Sequence, residues 1–161
     1  MTVSSTNSGS VEEILTSEQV DAIRKGYDRE LMNRAAAHAI VSPYPRAQAF
    51  ADFLTTHFYD SDRWPGDRRE QCLITYFTSH SAGNAFNLGV HLYWGLMEGL
   101  DVPTIADTIL LTSAYAGIDN YSNAIGVLKK VLTLLSSLVT SEDPEKAVAC
   151  ANVVGKIRAL L

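Results

Sequence analysis

His91 is the residue best placed to move a proton, because imidazole both gives and takes one near neutral pH. It does not stand alone. At about 100° per residue, Asn87, His91, Trp94 and Glu98 fall within about 60° of one another, with Asn84 close by, a polar stripe along one side of a helix. The opposite side carries Ala85, Leu88, Leu92 and Leu96, and Val90, Tyr93 and Met97 widen that apolar arc. Such a stripe either faces solvent or lines a cavity, and the lack of Lys and Arg nearby favours the cavity. There the imidazole transfers a proton while the amides of Asn84 and Asn87 hold a carbonyl or carboxylate. Tyr76, Tyr93 and Trp94 are candidate walls, against the plainer alternative that aromatic residues at helical spacing are core. Glu70 has two readings as well. Three residues after Asp67, it reaches back to a backbone amide as half of a capping box, or it is a functional carboxylate whose charge a helix N terminus favours and burial disfavours.

Other chemistry finds less support. The spacings among His57, His80 and His91 match no helical ligand pair, so no metal site is assigned. Cys72 and Cys150 form neither a CxxC pair nor a zinc spacing, which reads as two reduced thiols in a cytoplasmic protein; Cys72, in an apolar helix, is expected in the core. Thirteen Lys and Arg against eighteen Asp and Glu give a net charge of −5, with no basic cluster to follow a phosphate backbone, so nucleic acid is excluded as a partner. Apolar runs are interrupted by Thr, Ser, Gly or charge before they reach bilayer-spanning length, and membrane association is excluded on the same footing.

The elements that must position these groups are all helical. Residues 1–10 are Ser, Thr, Asn and Gly with little to bury, a disordered lead-in to one domain over residues 11–161. A capping box at Thr16 and Gln19 opens a long helix over about 17–39. Pro45 opens a second, to about Tyr59, and Asp67 a third after the Trp64-Pro65-Gly66 loop. A fourth runs from about Asn84 to the expected left-handed cap at Gly99, and Pro103 opens a fifth to Ala116-Gly117. Asp119 caps a sixth, to about Val139, and Asp143-Pro144 begins the last. With no alternating strand pattern, the expectation is an all-α, single-domain bundle of about seven helices.

Charge is unevenly spread. From Gln71 to Leu128 there are four acids (Glu98, Asp101, Asp107, Asp119) and no Lys or Arg. A segment so poor in charge must be largely buried, and it is apolar on more than one helix face, so burial against other subunits, a homo-oligomer, is expected.

Arg69-Glu70, an apolar helix, a break, His91 in the next helix, Glu98-Gly99-Leu100, a Pro-opened helix, Tyr115-Ala116-Gly117, and Asn123-Ala124 before a Val- and Leu-rich helix form one distributed pattern. Over about residues 45–140 it resembles the carboxymuconolactone decarboxylase family, which shares the alkyl hydroperoxidase D-like fold. The resemblance implies a helical protomer assembled as trimers or hexamers, with sites near subunit contacts. It also implies Glu70 as the acidic residue and His91 as the histidine of a site that needs no metal or organic cofactor. The peroxidase branch places a CxxC pair before that histidine; the corresponding positions here are Asn84 and Asn87, or Ala82 and Ala85 counted from Glu70, so thiol peroxidase chemistry is not expected. In the decarboxylase branch the position four before the histidine is often acidic, and Asn87 departs from that. What the resemblance implies is therefore a lyase or isomerase acting on a small unsaturated carboxylic acid or lactone. His91 would be proton donor or base, Glu70 would orient it, and Asn84, Asn87, Tyr76 and Trp94 would hold the substrate. The alternative is a non-catalytic oligomer of the same fold that binds a small molecule or serves as a scaffold.

Overall fold

The computed structural model describes residues 10–41, 45–59 and 63–161. The expected lead-in lies outside these residues except for Ser10. Among the described residues there are nine α-helices and no strand: α1 (Ser17–Arg24), α2 (Arg29–Val41), α3 (Gln48–Leu54), α4 (Gly66–Ser79), α5 (Ala85–Met97), α6 (Val102–Ala116), α7 (Ile118–Val139), α8 (Pro144–Ala147) and α9 (Cys150–Leu160).

The all-α expectation holds, and the count rises from seven to nine because two expected helices are each broken once. The first stops at Lys25, and Asp28 caps a new start by accepting the Leu31 N–H at 2.9 Å. The last breaks after Ala147, where the Asn152 side-chain amide donates to the Ala147 carbonyl at 2.8 Å and closes α8. The Thr16–Gln19 capping box forms with both hydrogen bonds, at 2.9 and 3.3 Å. Gly99 ends the turn after α5 at φ +116°, and Asp101 accepts the Thr104 N–H at 2.8 Å to start α6, with Pro103 in its first turn. Asp67 is not a cap. Helix α4 starts from Pro65 with no side-chain capping bond, which releases Glu70 for another partner.

Helix α5 is the axis of the fold. Every residue from Leu88 to Met97 is buried, and the helix packs against α1, α4, α6, α7 and α9. Such all-round burial is why its sequence is apolar on more than one face. Two of its glycines set how closely its neighbours come. At Gly95 a Cβ would stand 3.1 Å from Ile74 Cδ1 of α4, and at Gly89 one would stand 3.1 Å from Ile157 Cγ2 of α9. Both α4 and α9 are thereby drawn onto α5 at the two places where the site is built.

By length and composition α7 is apolar enough to cross a membrane, which corrects the expectation that no segment reaches that length. Leu128, Val131, Leu132 and Leu135 are fully buried in the core, while Lys129 and Lys130 are exposed. An amphipathic core helix accounts for this pattern. Cys72 is another correction: it is exposed, because α4 turns its Arg69–Glu70–Ile74 side inward.

Candidate functional site

Helix α4 brings Glu70 and α5 brings His91 to one point: Glu70 Oε2 lies 2.8 Å from His91 Nδ1. Glu70 is fully buried, and a carboxylate in that position is costly unless it is paired and hydrogen-bonded. Its other oxygen supplies the pairing. Oε1 accepts from Arg69 Nε at 2.8 Å, and Arg69, also fully buried, donates through Nη1 to the Tyr59 carbonyl at 3.0 Å. That carbonyl belongs to a π-helical turn, Thr55–Tyr59, and the same residue's ring lies under the guanidinium with 5.1 Å between Cζ and the ring centroid.

The network continues to the end of α5. Arg69 Nη2 stands 3.8 Å from Glu98 Oε1, which also accepts the Tyr27 hydroxyl at 2.7 Å and pairs with Arg29 Nε at 3.4 Å. Burial, and then the hydrogen bond to Glu98, raise the Tyr27 hydroxyl above its ordinary pKa, so it stays a donor. Tyr59 is raised as well, chiefly by burial. Gly66 opens α4 where a side chain would collide with the Glu98 carboxylate. Two arginines and two carboxylates cancel in formal charge. The imidazole is thus the member of this cluster whose proton is not needed for charge balance.

Because the Glu70 carboxylate accepts at Nδ1, the neutral His91 tautomer carries its proton there and keeps a lone pair at Nε2. Packing fixes the ring. Phe77 stacks on its face at 5.0 Å with an 11° interplanar angle, and Trp94 meets it edge-on at 5.1 Å and 85°. Nε2 has no hydrogen-bond partner among the described residues. His91 also lines a half-open cavity of about 430 Å³ between α2, α4, α5 and α9. Its walls are mostly apolar, with Met32, Phe77, Val90 and Val154 among them; Asn87, His91, Trp94 and Arg158 bring polar atoms. Proton transfer to or from a molecule held in this cavity is what the arrangement can do.

The other residues singled out in the sequence are divided. Asn87 and Trp94 line the cavity. Asn84 does not; its side chain donates to the His80 carbonyl at 2.9 Å and accepts from Asn87 Nδ2 at 3.4 Å, so it orients Asn87. Tyr76 points elsewhere, packed against Phe77 and His80 and more than half exposed. Tyr93 is fully buried, its hydroxyl donating to Cys150 Sγ at 3.6 Å on another side of α5. His57 stacks on Phe53 and His80 packs at a tilt against Tyr76, and neither joins His91. No group of three His, Cys, Asp or Glu among the described residues is arranged to hold a metal. Sequence reasoning missed Arg69 as the partner of Glu70, and Tyr59, Tyr27 and Arg158 altogether. For Arg69 a signal existed: an arginine four residues before Leu73, on the side of a helix that also carries Glu70 and Ile74, asks for a buried acid.

Residues 47–130, just over half of the chain, match the model of the Carboxymuconolactone decarboxylase family. No curated protein and no solved structure matches the chain.

Proposed function

This chain belongs to the carboxymuconolactone decarboxylase family, and we propose that it is a cofactor-free lyase or isomerase acting on a small unsaturated carboxylic acid or lactone by Glu/His proton transfer. The observation that carries this reading is the 2.8 Å contact between Glu70 Oε2 and His91 Nδ1 beside the cavity. Loss of a proton or of carbon dioxide next to an unsaturated carbonyl leaves an enolate-like charge. His91 Nε2 takes the proton, or returns one to carbon. Glu70 fixes the tautomer and balances the imidazolium formed on the way. Asn87 spends one N–H on Asn84 and has a second for the developing oxyanion.

The supporting test is turnover of a panel of unsaturated acids and lactones, followed by the change in conjugated absorbance. His91→Gln should lower the rate by about 10²-fold or more, the usual worth of a positioned acid or base. Unchanged turnover in that variant overturns the reading. The largely apolar cavity also suits a protein that binds without converting; saturable binding with no turnover in wild type would select that alternative.

The same reading includes self-association in the reducing cytoplasm. Leu111, Tyr115 and Ile118, 68%, 95% and 73% exposed, form an apolar face across the α6–α7 junction that another copy of the chain would cover. Sedimentation at micromolar concentration should give a trimer or hexamer, and a stable monomer would exclude it.

A further inference from the structure

No Lys or Arg occurs between Gln71 and Leu128, yet the cavity is not without a cation. Arg158 reaches it from α9, outside the family-matched residues. Its guanidinium lies over the Phe86 ring, Cζ 4.9 Å from the centroid, and it makes no ion pair among the described residues. No Asp or Glu lines the cavity. Arg158 is exposed, and its positive charge, seated on an aromatic face at the edge of a half-open apolar cavity without an anion partner, is a complementary site for one.

We infer that Arg158 is a specificity-determining residue that anchors the carboxylate of the ligand, with the remainder of the molecule running along α5 toward His91. Phe86 and His91 are five residues apart on one helix, about 7.5 Å along its axis. The two residues also stand about 140° apart around α5, so this rise is only the axial part of their separation, and the ligand is an unsaturated carboxylate of at least roughly six bonds whose far end meets Nε2. Asn87, the residue after Phe86 on α5, lines the same cavity at the Arg158 end, where its free N–H can donate to the carboxylate. A carboxylate held by a guanidinium is kept, not expelled. The group that changes at His91 is therefore at the opposite end of the conjugated chain: a proton that shifts, or a second carboxyl group.

The inference rests on the proton-transfer reading for what happens at His91, but the anion site stands apart from it and is tested by binding alone. Sorbate, a six-carbon dienoate, and its uncharged amide are titrated against the full-length protein at pH 7 and low ionic strength, with tryptophan fluorescence as the readout, since Trp94 lines the cavity. Wild type should bind sorbate about tenfold or more tightly than the amide, as expected for one charge-assisted contact at a partly exposed site. Arg158→Met keeps the apolar stem over Phe86 and should bring the two affinities together while leaving that of the amide within about twofold. His91→Gln should keep the preference. The proposal fails if sorbate shows no saturable binding, if wild type does not prefer it to the amide, or if Arg158→Met retains the preference. An intact preference without turnover of any acid leaves the anion site standing and removes the catalytic reading; turnover with no effect of Arg158→Met does the reverse.

Discussion

Replacing Glu70 by Gln changes one atom and forces a choice. Glu70 now accepts twice, from Arg69 Nε on Oε1 and from His91 Nδ1 on Oε2, each at 2.8 Å. An amide has one accepting oxygen and one donating NH2. Arginine cannot accept, so the oxygen must stay with Arg69 and the NH2 turns to His91. A donor facing Nδ1 is tolerated only if the ring moves its proton to Nε2. The variant should therefore hold His91 in the opposite tautomer, with no lone pair toward the cavity. One charge-assisted hydrogen bond becomes a neutral one and Arg69 stays buried beside a neutral amide, a loss of about 1.5–3 kcal/mol. With a urea slope of about 2 kcal/mol per molar, the midpoint should fall by roughly 1 M. Truncation to Ala, which leaves the Arg69 charge uncompensated, should cost more, about 3–5 kcal/mol. Nitrogen-15 NMR of the imidazole reads the tautomer and urea titration reads the stability. Retention of the Nδ1–H form together with an unchanged midpoint would refute the reasoning, because Glu70 would then hold neither partner.

Gly66→Ala drives a methyl group into the Glu98 carboxylate and should destabilise by about 1–3 kcal/mol in a thermal or urea melt, whereas Gly155→Ala, in α9 with open space around it, should stabilise by about 0.5–1 kcal/mol. Asp101→Ala removes the cap of α6 and should cost about 1 kcal/mol at pH 7. The hydrogen bond from Thr104 holds the Asp101 carboxyl below its ordinary value of 3.8, so the charged form's contribution is present above that pH and fades as pH falls through the lowered value; denaturation of wild type and variant should converge in acid. In the native protein a thiol reagent should modify Cys72 promptly and Cys150 only on unfolding, counted with Ellman's reagent; equal reactivity would contradict the burial of Cys150 behind Tyr93, Asp28 and Gly26.

The fold is legible because helix boundaries here are written in local chemistry. Thr16 with Gln19, Asp101 with Pro103, Gly99 and Asp143 each satisfy a helix end within four residues, so their spacing alone marks the element. Asp28 escapes such a reading because the apolar period continues across it from Ile23 to Leu31 and Ala35, and periodicity does not register a cap inside an unbroken pattern. In the site, His91 stands out from its stripe on α5, and its partner is visible only as one of two readings of Glu70. A capping glutamate and a buried one have the same sequence; the absence of a bond from Asp67 decides between them, and that is a matter of three-dimensional packing. Tyr76 lies about 120° around α4 from Glu70 and turns outward, while Asn84 lies close to the side of His91 but at the start of α5, where its side chain is engaged by His80 and Asn87. Arg158 leaves no trace at all, because its place at the cavity depends on α9 folding back over Gly89.

Proton transfer at His91 is tested most directly by deuterium exchange. Wild type and His91→Gln are incubated in D2O with short unsaturated acids and lactones, and incorporation at carbon is followed by proton NMR. Exchange by wild type at a carbon conjugated to the carboxyl or lactone carbonyl, lost in His91→Gln, is the predicted result. Exchange of equal rate in both proteins, or in neither, would contradict it.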